Sequence, residues 1–369
     1  MIYNEALANA LDADANFVSI KINLPDTETI QNLSLEISDN GLGFDDIRFG
    51  KFSKLFDVEE QSHKRLGRLV YLCYFDKVIV DSIYDNGKKR RTFEFSDDFK
   101  GNSHKVDIET SPTGSSLHMV GFSGERLYKR NFIQPSYIQK MLLENFFLRL
   151  YKAKLGNQQI EIKIEANISG THSEAFIKTS DMPQLSVMHL EHQLDLFNSI
   201  DLYYSVLRTD DSTKKPITAI AVDERCHKMD IIADENFPKG YEMIFLLMSE
   251  SFYGVVDESR QNLTIPDYEL GSIKKLFRDG ISAVINEYFP QIAEENHNRE
   301  ENLKNTFPHL SGYFKTSDIG FSSQNDIIKN AQEQFFKDQR EILSATHLSE
   351  EQYEKSLTLA AIALAEYIL

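Results

Sequence analysis

Glu5-Ala6-Leu7-Ala8-Asn9-Ala10-Leu11-Asp12-Ala13, then Ser34-Leu35-Glu36-Ile37-Ser38 running into Asp39-Asn40-Gly41-Leu42-Gly43, is the stretch whose reading decides the fold. On a helix, Glu5, Asn9 and Asp12 stand at i, i+4 and i+7, so one face carries a carboxylate, an amide and a second carboxylate. Alanine at positions 6, 8, 10 and 13 lets other groups approach that helix closely. Ser34 to Ser38 alternates as a strand does, and Gly41 and Gly43 break it with residues that permit positive φ and close backbone approach. Taken singly, the first segment also reads as an ordinary alanine-rich amphipathic helix and the second as a common turn. Together they set a carboxylate suited to general-base work and an amide oxygen suited to Mg²⁺ ahead of a glycine turn, the outline of phosphate chemistry.

The order helix, strand, glycine turn resembles the GHKL ATPases: gyrase-type topoisomerases, MutL, MORC proteins, sensor histidine kinases and the ninety-kilodalton heat-shock chaperones. Further matches follow in family order. Phe49-Gly50-Lys51-Phe52-Ser53-Lys54 is similar to a G-x-S-x-K stretch in the lid of MORC-like members, and Leu66-Gly67-Arg68-Leu69-Val70 to the glycine-led start of the next helix. Ser111-Pro112-Thr113-Gly114-Ser115-Ser116-Leu117-His118-Met119 resembles the final Gly-Thr strand, with Ser115 in the hydroxyl position. The family's earlier glycine is replaced by Lys64, so either Lys64 or Arg65 supplies charge to the phosphates or the lid is rebuilt and holds nucleotide weakly.

The resemblance implies an α+β fold: a Bergerat-type α/β sandwich over residues 1–175, a transducer-like α/β domain over 176–290 and a mainly helical segment over 291–369. It implies that Glu5 activates the attacking water, Asn9 ligates Mg²⁺, and Asp39 accepts a hydrogen bond from the adenine amino group of ATP. Gly41 and Gly43 would let the backbone pass the base, and Gly67 would open a helix whose free amides face the phosphates. Asp12, Lys54 and Ser115 join the nucleotide-binding set. Gly254-Val255-Val256-Asp257 followed by Leu263-Thr264-Ile265 resembles a chaperone segment that precedes an arginine for the γ-phosphate; here that position is Asp267. Arg260 is the nearest cation and the substitute candidate, the plainer reading being a surface arginine.

Composition is compatible with this. The 369 residues allow two or three domains, and 41% hydrophobic with 26% charged residues describes an ordinary globular chain. Cys73 and Cys226 form no metal spacing or disulfide framework, so a reducing compartment and buried core thiols are expected, and the ten histidines show no ligand spacing. Without a leader or a long apolar run, the expected location is cytoplasmic and no membrane partner is expected. A net charge of −17 argues against a surface devoted to gripping nucleic acid. The single basic cluster, Lys88-Lys89-Arg90-Arg91, follows Asp85-Asn86-Gly87 and reads as a solvated hairpin tip rather than a nucleic-acid contact.

Further along, Ile138 to Tyr151 reads as helix, Gln159 to Glu165 as strand, and the polar stretch Asn167 to Pro183 as a domain boundary. Ile217 to Val222 and Tyr241 to Ser249 read as strands. Ile273 to Phe289 and Ser323 to Thr346 have helical period, with Glu294 to Asn305 and Phe307 to Ser317 as spacers. Ser349-Glu350-Glu351 reads as a cap for a last segment whose apolar stripe would be core, a dimer contact or a truncated helix. Glu5 lies near the chain start, where relatives carry an arm that crosses to a partner subunit; either this protein closes without a strap or the chain begins upstream.

The reading that follows is a slow Mg²⁺-dependent ATPase whose nucleotide orders a lid around Gly50 to Gly67 and moves the second domain of a homodimer acting on an unknown protein client. The alternatives are an ATP-sensing interaction module with little turnover and a MutL-like or MORC-like DNA clamp.

Overall fold

The computed structural model describes residues 2–53, 69–123, 130–194, 197, 199–210, 215–222, 225–233, 236–252, 255, 264–314, 324–344, 349, 351–352, 354–355 and 357–359. The chain opens with helix α1 (Ile2–Asp12), strand β1 (Phe17–Leu24) and strand β2 (Ser34–Asp39), followed by helices α2 (Asp46–Ser53) and α3 (Leu69–Leu72). Strands β3 (Phe75–Tyr84), β4 (Lys89–Ser96), β5 (His104–Asp107) and β6 (Gly114–Phe122) lead to helix α4 (Pro135–Leu155) and strands β7 (Glu161–Ile168) and β8 (Thr171–Lys178). These eight strands form one sheet in the order β5-β4-β3-β6-β2-β1-β7-β8. Within it β1 and β7 pair in parallel, an arrangement that needs a long crossover connection rather than a hairpin.

The alternation that marks these strands is also what builds the core. Ile20, Ile22, Leu35, Ile37, Val78, Val80, Met119, Ile162 and Ile164 are all nearly fully buried, while most of their chain neighbours, Ser19 excepted, are more exposed. Helix α4 buries Ile138, Leu142, Phe146 and Leu150 along one stripe and Phe147, Leu148 and Tyr151 away from it, so apolar burial extends most of the way round the helix. It lies against β7 and β8 and also contacts strand β12 (Arg225–Lys228), where the Arg225 guanidinium sits 5.9 Å above the Phe146 ring.

A second sheet runs in the order β12-β11-β13-β10-β9, with β9 (Ser186–His189), β10 (Asp201–Arg208), β11 (Ile217–Val222) and β13 (Tyr241–Met248). Helices α5 (Asp267–Tyr288), α6 (Pro290–Thr306) and α7 (Gln324–Ser344) complete the described elements. Two compact units divide the chain: residues 1–184 with 219–228 and 248–265, and residues 185–218 with 229–247 and 266–369. In the second unit, Gly280 brings α5 so near its neighbours that a Cβ there would stand 3.0 Å from Leu190 and 3.1 Å from Leu202. Leu303, Leu310, Phe314, Ile327, Ala331 and Phe335 form a separate apolar cluster.

Several expectations are corrected. The segment from Glu294 to Asn305 is not a spacer but part of α6; Ile292, Asn296 and Leu303 supply a buried side, and Lys304 pairs with Glu300 at 2.9 Å one turn earlier. The polar stretch from Asn167 to Pro183 holds strand β8, a sheet edge whose first half is polar and largely exposed while Ile177 near its end is buried. Cys73 is half-buried rather than core, whereas Cys226 is buried and its thiol is pushed up to about 11 by that burial. The Ser349 cap is present as a reciprocal pair, the Gln352 amide donating to Ser349 Oγ and the Ser349 amide to Gln352 Oε1.

The largest correction concerns the basic cluster. Asp85, Asn86 and Gly87 do form the hairpin turn, all with positive φ. Arg91, however, is only 1% exposed. It occupies the same face of β4 as Phe93 and Phe95, and its Nη1 donates to the carbonyls of Phe44 (2.7 Å) and Asp45 (2.6 Å) while Nη2 pairs with Asp46. Its guanidinium also lies 4.4 Å from the Phe49 ring and 5.1 Å from the Tyr84 ring. Arg90 pairs with Asp81 and Lys89 with Asp85, so the basic cluster at the hairpin is largely neutralised locally. Replacing Arg91 by Met strands two carbonyls and should cost about 3 kcal/mol in urea unfolding. Lys89→Ala, which removes only an exposed pair, should stay within about 0.5 kcal/mol of wild type. Equal effects would show that Arg91 is not the tie between β4 and residues 44–46.

Candidate functional site

The glycine turn sits at the end of β2 and is held at nearly every residue. Asp39 accepts the Gly41 amide at 2.8 Å, and the Ser115 amide donates to it from the neighbouring strand, where Asp39 and Ser115 are register partners. Burial pushes the Asp39 carboxyl up to about 6, and the two amide donors hold back part of that rise. Asn40 clasps the start of β1: its Oδ1 accepts the amides of Asn16 (3.0 Å) and Phe17 (2.9 Å), and its Nδ2 donates to Asn16 Oδ1. The Leu42 amide donates to Ala13 O at 2.9 Å.

The two glycines serve different needs. Gly43 has φ +73°, and a Cβ there would lie 2.3 Å from Ile83 O. Gly41 is not in the left-handed region; it is required because a Cβ would come within 2.6 Å of Ala13 O, just past the last turn of α1. Beyond the turn, the Phe44 amide donates to Ser82 Oγ at 2.8 Å. Ser82 Oγ also lies 3.1 Å from Gly114 O and 3.0 Å from Ser115 Oγ, and both serines are buried.

At the other end of α1, Glu5 and Asn9 share a face as the spacing predicts, with Asn9 Nδ2 3.5 Å from Glu5 Oε1. The same Nδ2 is 3.5 Å from the hydroxyl of Tyr71 on α3. Tyr71 is 1% exposed; burial, with the Glu5 charge second, raises its hydroxyl far above the usual phenol range. With Nδ2 turned toward two acceptors, Oδ1 is the Asn9 atom left for a hard cation, so the residue suits Mg²⁺ in its donor chemistry. Asp12 is taken up differently: its carboxylate accepts from Arg149 of α4 at 2.8 Å.

The structure thus brings Glu5 and Asn9 together, and separately Asp39, Gly41, Gly43 and Ser115. Lys54, Lys64, Arg65, Gly67 and Arg260 lie outside the described residues. Of the expected lid, residues 50–53 belong to α2, which Phe49 and Phe52 dock onto Phe93 at 5.0 and 5.3 Å. Sequence reasoning missed Ser82, Tyr71 and Arg91. Among the described residues, one histidine grouping has metal-ligand proximity, Glu165, His172 and Glu174 on the exposed face of β7 and β8; the Lys163 ammonium, 2.8 Å from Glu165, already balances it.

No family model matches the chain, and no curated protein matches it. Among solved structures, the N-terminal domain of a DNA repair protein is similar with a TM-score of 0.52 at 13% identity, over 77% of this chain and 93% of that one. An Aquifex aeolicus MutL ATPase domain complexed with ADP has a TM-score of 0.38 at 16% identity, covering 75% and 95%. The ATPase domain of the Aquifex aeolicus mismatch repair endonuclease MutL has 0.39 at 14%, covering 74% and 96%. At such identities the likeness is one of fold alone, and that fold is a mixed α+β architecture, the class that the opening motifs imply.

Proposed function

We propose that the chain binds ATP between α1 and the glycine turn and hydrolyses it slowly. The supporting observation is that one helix serves both halves of the site. Its C-terminal end touches Gly41 through Ala13, beside Asp39, while Glu5 lies eight residues back, about 12 Å along the axis. That separation suits an extended nucleoside triphosphate, with the base at Asp39 and the terminal phosphoryl group toward Glu5.

In this reading the Asp39 carboxylate accepts the adenine amino group, and Glu5 takes the proton of the attacking water. Asn9 Oδ1 would hold Mg²⁺, whose chemistry when bound is to neutralise phosphate charge. Residues 1–175 form the nucleotide-binding part, 176–290 a transducer-like part and 291–369 a helical part, with Arg260 as the cation for the γ-phosphate. Lys54 and Gly67 contribute phosphate contacts, and the active form is a cytoplasmic homodimer. A DNA clamp gains no support from Lys88 to Arg91, because three of those four residues are engaged in local pairs.

Phosphate release should be measurable for the wild type and fall at least about a hundredfold in Glu5→Gln. Tight ATP binding with no release from either protein would make the chain a nucleotide sensor instead. Arg260→Ala should lower turnover while ADP affinity holds; unchanged turnover would remove Arg260 from the chemistry.

Calorimetric ADP affinity should weaken as pH falls through about 6, where Asp39 takes up a proton and loses its acceptor character. For stability the sign is opposite. The folded-state pKa is raised, so the ionised carboxylate opposes folding above about pH 6, and this penalty is gone below the ordinary value of 3.8. Asp39→Asn should therefore bind ADP at least about tenfold more weakly yet melt no lower than wild type at pH 8. Undiminished ADP binding in this variant would reject Asp39 as the base acceptor.

A further inference from the structure

The geometry points to Ser82 as a positioning residue that sets purine selectivity at the Asp39 site, an inference that rests on the nucleotide reading above. Ser82 is 1% exposed and stands in the core-facing register of β3, between Val80 and Tyr84. Its Oγ meets the Phe44 amide at 2.8 Å, Gly114 O at 3.1 Å and Ser115 Oγ at 3.0 Å. It is also the atom on which the turn rests, since a Cβ at Gly43 would lie 2.8 Å from it.

Counting protons orders this cluster. A hydroxyl offers one proton and two lone pairs. The Phe44 amide can only donate, so it occupies one lone pair of Ser82. Gly114 O can only accept, so it draws the Ser82 proton. The second lone pair of Ser82 is then free to accept the proton of Ser115. The opposite polarity would spend the Ser82 proton on Ser115 and leave Gly114 O without its hydroxyl donor.

The consequence falls on Ser115. With its proton committed to Ser82, its Oγ presents only lone pairs to any further partner. Its register partner Asp39 is itself an acceptor, so the end of the cross-strand pair offers acceptors alone. A base edge bearing an amino group finds a complement there, as adenine does. Guanine carries a carbonyl oxygen at the corresponding position, which would meet acceptors without a donor. Taking away the Ser82 hydroxyl releases the Ser115 proton to turn toward the ligand, where it can serve that carbonyl.

The test is calorimetric titration of ADP and GDP against wild type, Ser82→Ala and Ser82→Cys. The thiol keeps the volume in case the alanine variant does not fold, and it is too weak a hydrogen-bonding group to replace the hydroxyl. The preference for ADP over GDP should shrink by about tenfold in either variant, and amide exchange at Phe44 should accelerate. Loss of affinity for both nucleotides by the same factor would mark Ser82 as merely structural and overturn the inference, as would an unchanged ratio. A wild type that binds neither nucleotide would overturn the nucleotide reading and this inference with it; a wild type that binds ADP, with an unaltered ratio in the variants, overturns this inference alone.

Discussion

The seating of residues 39–46 is the constraint on which the candidate site depends. A glycine-containing turn is intrinsically the most mobile kind of segment, because each ordered residue costs about 1–2 kcal/mol of backbone entropy. Here that cost is met during folding. Ala13 O and the Asn16–Asn40 clasp hold the turn to the end of α1 and the start of β1, Ser82 holds Phe44 from β3, and Arg91 holds Phe44 and Asp45 from β4. A ligand meeting such a surface does not have to order it, which is the physical content of preorganisation.

Arg91 shows how one buried charge is tolerated in that scheme. A guanidinium at 1% exposure would be prohibitive alone, yet it meets two carbonyls, a carboxylate and two aromatic faces. The aromatic shelf of Phe44, Phe52, Phe93, Phe95 and Phe99 then fixes α2 against β4 with edge-to-face contacts between about 5 and 6 Å. Residues 46–53 are thereby docked on β4; the family resemblance counts residues 50–53 of this stretch as the start of a lid.

How much of this could be read from residues alone depends on whether the signal was local. The helix at Glu5, the strand into Asp39, the hairpin at Asp85 to Gly87 and the helix around Ile138 all follow from spacing within a few residues. So does the cap at Ser349. The misses share a cause: in each, a polar residue occupies a position whose meaning is set across strands. Arg91 was grouped with its chain neighbours Lys89 and Arg90, although the period of two places it with Phe93 and Phe95. Ser82 likewise stands in the series Val78, Val80, Ser82, Tyr84, and a hydroxyl in an otherwise apolar register was the visible signal. Tyr71 carried none, because only the packing of α3 near Asn9 gives its hydroxyl a role. For α6 the error ran the other way: its charges concealed a helix whose buried side needs few apolar residues.

Asp39 ties stability to the site's chemistry. At neutral pH its carboxylate is ionised against the preference of its surroundings, with two backbone amides offsetting only part of the lost hydration. That arrangement is a standing cost to the empty fold, borne by the apolar layers of the eight-stranded sheet. A neutral donor brought to the carboxylate restores an interaction that water supplied in the unfolded chain, and it favours the charged form. Binding near pH 6 should therefore expel a proton, and the occupied protein should lose the penalty that the empty one carries. In the proposed reading, the feature that weakens the fold would thus be the one that makes the turn selective for a hydrogen-bond donor: a well-solvated carboxylate would cost the fold nothing and would discriminate poorly between a ligand and water.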